Sequence, residues 1–300
     1  MCNPISLILT EDKVFLPSDS IWDHSHSSIM KKHKIPDGLM GDKYLRLEVV
    51  PPDGYFRDKK TNKKLSVNKK WKVILDEENI PDWYKNDKPN QEDRAREAAN
   101  KWFQKFPDNL LDGYKETAGD NAKINARYNS VLIAGHCSRL TADESSVLTA
   151  GDNSVLNAGD SSVLNAKRES ILNAGYYSVL NAGNYSELTA GNGSTLTSLN
   201  YSKLTAGDNS DLIAGDNSVL KALNNSTLIA GNFSTLTAEK SSILEAGNDS
   251  IFCAGKDSVF ILYWDDGNKR RAIIANVGEN GIKPNKKYLG INGKFTEVKK

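Results

Sequence analysis

A serine stands at every eighth position from Ser130 to Ser258, seventeen in succession without a miss. Two residues after each serine comes leucine, from Leu132 to Leu244, then Phe252 and Phe260; four residues before each comes alanine, except at Ser198. The unit reads A-G-x-x-S-x-L-x, as in Ala150–Asn157. With a degenerate copy beginning at Ala118, eighteen octads cover 144 residues, 118–261. A fixed short period sustained over that length is the signature of a repeat architecture. The chain is only 38% apolar with a mean hydropathy of −0.52, and its Asn, Ser, Gly and Asp content would by itself suggest disorder. The unbroken register excludes that.

The octad translates into local structure. In S-x-L-x-A the first, third and fifth side chains share one face of a strand, since strand side chains alternate with period two. Serine, leucine and alanine are therefore expected inside, and the two x positions outside. The G-x-x that follows is turn chemistry, with glycine expected to take the positive φ and Asp or Asn to form local hydrogen bonds. Each serine hydroxyl is expected to bond within its turn or to the next coil. A strand and a turn every eight residues make a mainly β chain, a β-solenoid. Eight residues cannot close around a core, so two octads per coil is the economical solution: about nine coils, a rod about 40 Å long at 4.7–4.9 Å per coil. Three octads per coil is the competing arrangement. Six octads lack glycine at their second position, and four of those (Arg127, Asp143, Leu223, Glu239) are even-numbered, which favours two.

The flanks carry no repeat. Residues 1–117 are expected to form a small α+β domain: strands at Ile5–Leu9, Tyr44–Val50 and Trp71–Leu75, a short helix over Ser28–His33, and a longer one from an Asn90 N-cap to Phe106, stopped by Pro107. Residues 262–300 read as a double-hairpin cap, Val259–Trp264 with Arg271–Val277 and a second hairpin around Asn292-Gly293. Open solenoid ends expose unpaired backbone, so caps are expected at both. Net charge is +1 overall, but the octads carry −5 and residues 262–300 carry +5, which would permit head-to-tail homo-oligomers.

Several function classes lose their support at this point. The balanced charge gives no polyelectrolyte signal, so nucleic acid is not an expected partner and no membrane is expected either. No apolar run approaches a membrane span, and the start, MCNPISLILTEDK, lacks a basic leader segment. Three scattered cysteines, Cys2, Cys137 and Cys253, suit a reducing cytoplasm better than a disulfide framework.

The octads resemble the octapeptide repeat of bacterial ice nucleation proteins, as in AGNGSTLT (Ala190–Thr197) and AGNFSTLT (Ala230–Thr237). The segment GENGIKPNKKYLGINGKF resembles the ending of short octad-repeat proteins of bacterial and phage genomes. The first resemblance implies a solenoid and an ice face of stacked Thr-x-Thr pairs. Here both x positions are threonine only at Thr195/Thr197 and Thr235/Thr237, five octads apart and so on opposite faces of a two-octad coil. Charged and bulky residues stand elsewhere on both faces, so the fold is expected to transfer and the activity is not.

Candidate sites remain. Cys2 is a nucleophile type, with His24 and His26 as possible bases in the run Asp23-His24-Ser25-His26-Ser27, which equally suits a helix N-cap region. His24, His26 and His33 have no accompanying Cys or carboxylate cluster, so neither a metal nor a cofactor is expected. The Gly-Asp-Asn turns resemble calcium β-roll loops, but those need nine residues and paired glycines. Asn157/Asn173 and Asn165/Asn181 are expected to stack as ladders. Tyr128, Tyr176, Tyr177, Tyr185, Tyr201 and Phe233 occupy turn positions and form a candidate binding ridge. The expected function is a non-enzymatic, cytoplasmic scaffold presenting a rigid polar face to a protein partner, in a phage or mobile-element setting. Alternatives are an enzyme using Cys2, a weak ice-binding protein and a DNA mimic.

Overall fold

The computed structural model describes residues 4–17, 25–36, 43–54, 56–58, 61, 63–108 and 113–299. The chain divides into two compact units, Met1–Asp112 and Gly113–Lys300.

The first unit is built on an antiparallel sheet of β1 (Ile5–Leu9), β2 (Val14–Phe15), β3 (Leu45–Val50) and β4 (Lys72–Leu75), in the order β2-β1-β3-β4. Strand β1 is buried on both faces. Ile5, Leu7 and Leu9 pack with Ala95, Ala99, Trp102 and Phe103, while Ile8 packs on the other side with Ile29. Those partners lie on α3 (Lys88–Gln104) and α1 (His26–His33); α2 (Asp82–Asn86) leads into α3. Helix α3 starts two residues before the expected cap. Asp87 is the N-cap residue, Pro89 fills the first turn, where its missing N–H costs nothing, and the Asn90 amide donates to Asp87 Oδ2 at 2.9 Å. At its other end the Lys64 ammonium donates to the carbonyls of Phe103 and Phe106, and burial lowers its pKa.

The second unit is a β-solenoid with two octads per coil and about nine coils. Two short strands, β5 (Lys115–Thr117) and β6 (Lys123–Asn125), begin it, so the first rung lies just before Ala118. Three-residue rungs then recur every eight residues from β7 (Val131–Ile133) to β20 (Thr235–Thr237), followed by β21 (Ile243–Ala246), β22 (Ser250–Cys253) and β23 (Val259–Asp265). Each rung pairs in parallel with the rung sixteen residues away, as Leu156 does with Leu140 and Leu172. Odd-numbered strands build sheet A and even-numbered strands sheet B, each of eleven strands with its cap. One column of leucines lines each sheet, fully buried from Leu132 to Leu244.

The serines satisfy the buried backbone twice over. From Ser130 to Ser242 each Ser N–H donates to the hydroxyl one coil on, as Ser178 does to Ser194 at 3.2 Å, and the Ser194 hydroxyl in turn donates to Gly175 O of the preceding coil at 3.5 Å. Ser178 Oγ itself donates to Tyr176 O at 3.2 Å. Both expected bonds are thus made together along most of the ladder, while the buried Ser130 hydroxyl at its start is left without a partner. Asn173 donates to Asn157 and Asn181 to Asn165, the expected asparagine ladders.

Glycine's role differs from the expectation. The left-handed residue is the fourth of the octad, not the second: seventeen non-glycine residues there have φ between 54° and 61°, Asn121 through Asp257, and Gly193 has 67°. Where glycine stands at the second position it allows close approach, since a Cβ on Gly151 would sit 2.8 Å from the His136 nitrogen of the preceding coil, whereas six octads carry larger residues there.

The C-terminal end is closed by antiparallel strands. β24 (Arg270–Asn276) pairs with β23 to end sheet A; β25 (Tyr288–Ile291) pairs with β22, and β26 (Lys294–Glu297) follows to end sheet B. The core aromatics widen to match: Phe252, Phe260 and Phe295 have ring centroids 5.4–5.8 Å apart, and Tyr288 lies 6.2 Å from Phe260. In the β23–β24 turn the Asp266 carboxylate accepts from the Lys269 backbone, the Arg271 guanidinium and the Asn268 backbone, which holds its pKa at about 2.

Candidate functional site

A two-octad coil gives the solenoid two faces and two edges. Turns entering sheet B strands lie along one edge, the B-edge; turns entering sheet A strands lie along the other, the A-edge. The six turn aromatics divide between them. Tyr185, Tyr201 and Phe233 stand on the B-edge, and Tyr128, Tyr176 and Tyr177 on the A-edge. Tyr185 and Tyr201 are one coil apart and stack, with centroids at 4.9 Å and planes at 6°. Leu199, 56% exposed, adjoins them in the turn of Tyr201. On the A-edge the Tyr177 ring lies over Gly193, where a Cβ would come within 2.6 Å of it.

Four of these aromatics sit at the left-handed fourth position: Tyr177, Tyr185, Tyr201 and Phe233. A bulky L-residue there costs about 1–2 kcal/mol, which Asn, the commonest occupant, largely avoids. Phe233 is 61% exposed, so burial offsets little of the cost. Replacing it, Phe233→Asn, is expected to stabilise the protein by about 1 kcal/mol, read as a higher urea midpoint at unchanged slope. A lower midpoint would show that the ring packs where the structure leaves it in solvent.

The third octad residues carry no free acid array. Asp120, Asp152 and Asp216 on the B-edge each accept the backbone N–H of the next coil's third residue, from His136, Arg168 and Asn232, at 2.7–3.0 Å. Asp160 and Asp208 do the same on the A-edge for Tyr176 and Asn224. These carboxylates are structural acceptors between coils. Among the described residues no group of three or more His, Cys, Asp or Glu is placed to hold a metal.

Of the candidate catalytic residues, Cys2 and His24 lie outside the described residues. His26 is fixed at both ring nitrogens, Nε2 at 3.0 Å from Leu47 O and Nδ1 at 3.2 Å from Asp76 Oδ2. It ties the start of α1 to the sheet, next to the N-cap Ser25, whose hydroxyl accepts from Ser28 N. His33 likewise contacts Leu16 O at 3.1 Å. The D-H-S-H-S run thus supplies a helix cap.

The remaining thiols differ sharply. Cys137 is exposed in a B-edge turn; Cys253 is half-buried on sheet B, and burial pushes its pKa up, with Lys287 opposing and Glu239 adding. Because the thiolate is the nucleophile, maleimide at pH 8 should label Cys137 at least about tenfold faster than Cys253, measured by peptide mapping. Equal rates would contradict the placement of Cys253.

The threonine pairs fall in different sheets, Thr195/Thr197 in A and Thr235/Thr237 in B. Thr195 pairs directly with Asp211, and Thr237 with Lys221. The two faces are nevertheless unequal, which treating all octads alike had hidden. Sheet B presents Lys123, Arg139, Glu187, Lys203 and Lys221. Sheet A presents no charge over five consecutive rungs, from Val131/Ile133 to Thr195/Thr197. Sorting the octads by parity would have shown it.

No protein-family model, no curated protein and no solved structure matches this chain. Its function must therefore be argued from these faces and edges. Among the described residues no helix is long and apolar enough to cross a membrane.

Proposed function

We propose that the protein is a non-enzymatic scaffold whose solenoid holds a protein partner along the B-edge. The observation that carries this is the retention of Tyr185, Tyr201 and Phe233 at strained left-handed positions, all more than half exposed. The Tyr185–Tyr201 stack offsets part of this strain, while the exposure of Phe233 leaves little to offset its own. Exposed aromatics on a rigid frame are what interface centres are made from. Around them Asn184, Asn200, Asp216 and Asn217 supply a polar rim. The coil spacing fixes their separation, so the partner meets a preformed surface and little ordering entropy is lost on binding. The cytoplasm and a phage or mobile-element origin are the setting that the cysteine usage and the C-terminal resemblance support.

The test is affinity capture with the full chain and with Tyr185→Asn/Tyr201→Asn/Phe233→Asn, compared from the same host lysate. A protein retained by the first and lost by the second, with unchanged circular dichroism, supports the B-edge. Capture that persists in the triple variant overturns it. Loss of effect on Cys2→Ser alone would instead favour an enzyme in the first unit, although the fixed ring of His26 offers that thiol no free base.

Ice nucleation is the activity that the octad resemblance implies, and the faces argue against it. Water ordering needs a flat face of repeated hydroxyls, whereas each Thr-x-Thr pair here is isolated and has a charged neighbour one coil away. About nine coils also make a small template. Droplet-freezing temperatures at matched mass are expected to coincide with buffer. Freezing several degrees warmer, abolished by Thr195→Ala and Thr235→Ala, would restore the ice reading. The DNA-mimic reading needs an acidic face, and sheet B is basic while sheet A is nearly uncharged.

A further inference from the structure

The uncharged stretch of sheet A is left without a partner by the B-edge proposal and is independent of it. Ten outward side chains on five rungs form two straight columns: Val131, Val147, Val163, Val179 and Thr195 in one, and Ile133, Thr149, Asn165, Asn181 and Thr197 in the other. Ile133, Val147 and Val179 are among the exposed large hydrophobic residues of the chain. The stretch is bracketed by charge. Lys115 stands at the outward position one rung before Val131, and Asp211 at the same position one rung after Thr195.

We propose that this face is the interface of a homodimer, two copies packed sheet A to sheet A with their solenoid axes antiparallel about a two-fold axis at Val163. Three arguments choose a second copy as the occupant. The first is commensurability. A surface of β-branched side chains repeating every 4.7–4.9 Å is matched rung for rung over several coils only by another surface with the same repeat, and a second copy carries one. The second is charge. With the axes antiparallel and Val163 on the two-fold axis, Lys115 of each copy falls opposite Asp211 of the other, while Val147 meets Val179 and Val131 meets Thr195. The same column faces itself throughout, and the two opposite charges that bracket the stretch close it at both ends, giving the register its specificity. The third is size. Seven rungs at 4.7–4.9 Å and a strand width of about 12–14 Å give roughly 400–500 Å² per copy. About 800–1,000 Å² in total lies at the lower limit of specific association, which fits a reversible dimer with a micromolar dissociation constant. Sheet B fails the same tests, because Arg139, Glu187, Lys203 and Lys221 break its columns and leave no more than two consecutive uncharged rungs between them.

Sedimentation equilibrium of the full chain from about 1 to 500 μM tests this, together with three variants. The wild-type protein is expected to shift from monomer to dimer within that range. Val163→Lys puts two like charges face to face on the two-fold axis and should weaken the dimer at least tenfold, whereas Val219→Lys, the same change at a more exposed position on sheet B, should leave it unchanged. Asp211→Lys should weaken it and Lys115→Asp/Asp211→Lys should restore it. Should Val163→Lys fail to fold, Val163→Cys with the native cysteines changed to serine gives a second readout, since a residue on the two-fold axis faces its own copy. A short bismaleimide, which spans the roughly 10 Å between face-to-face sheets that a disulfide cannot, should crosslink the dimer, and Val219→Cys in the same background should not crosslink. A monomer at all concentrations overturns the proposal. So does a dimer that survives Val163→Lys, and one lost only in the B-edge triple variant would reassign self-association to that edge.

Discussion

Removing the C-terminal cap, by ending the chain at Lys269, should make the protein aggregate end to end. In the intact chain β24 pairs with the whole of β23, seven residues against seven, and β25 pairs with β22. Truncation strips both, leaving the last rungs of two eleven-strand sheets with unpaired N–H and C=O groups at the same end. It also unroofs Phe252 and Phe260, both fully buried, by removing Tyr288 and Phe295. A flat, hydrogen-bond-hungry edge with an apolar centre is a template for another such edge. The cap suppresses this with charge, since Arg270 and Arg271 lie on the outer strand of sheet A and Lys294 and Glu297 on that of sheet B. Small contacts seat it: Asn292 N donates to Asn248 Oδ1 at 2.7 Å, ending the Asx ladder of the B-edge, and Asn285 N donates to Ala254 O at 2.7 Å. Light scattering and sedimentation velocity check the outcome. A truncated chain that sediments as the intact protein does at the same concentration, with an unchanged β spectrum, would show that the cap is dispensable.

Most of this architecture was legible because the octad states it eighteen times. Serine and leucine at fixed positions require a common interior, and the octads lacking glycine at their second position, four of six even-numbered, point to two per coil. Strands β1, β3 and β4 and helix α1 were legible from alternation and from i, i+3, i+4 spacing within one or two residues, the N-cap of α3 lies three residues before the expected one, and the short β2 and α2 were not anticipated. What was not legible lies between coils. That the second-position glycines serve close approach rather than positive φ depends on the backbone of the preceding coil, one coil away in sequence. That the turn aspartates are backbone acceptors for the next coil depends on the same distance. Asn90 looked like a helix cap because its type fits, but Pro89 in the first turn moves the start to Asp87. The aromatic turn residues were visible, but their division between two edges required counting octads by parity, and so did the uncharged stretch of sheet A.

The same parity logic predicts how the chain should respond to deletions. Removing sixteen residues, 206–221, joins Thr205 to Ala222 and takes out one whole coil. Every remaining rung keeps its sheet, and Leu204 comes to lie beside Leu236. Because each coil contacts only its neighbours, stability should fall by no more than one coil's share and the protein should remain soluble and cooperative. Removing eight residues, 206–213, keeps the leucine ladder but moves every later rung to the other sheet. The chain should still fold, with a normal β spectrum, but with former sheet B residues continuing the columns of sheet A. Removing four, 206–209, is different in kind. It takes out one A-G-x-x turn and fuses Ser202–Thr205 to Ser210–Ile213 as a continuous eight-residue segment that cannot reverse. Closing the coil is then impossible without unburying at least two leucines, at about 2–5 kcal/mol each with their cavities. That is comparable to the whole stability of an ordinary domain, so the expected result is an insoluble or protease-sensitive chain. Limited proteolysis and circular dichroism on the three variants give the order sixteen, then eight, then four. A four-residue deletion as resistant as the sixteen would mean that the octad is not the unit of closure.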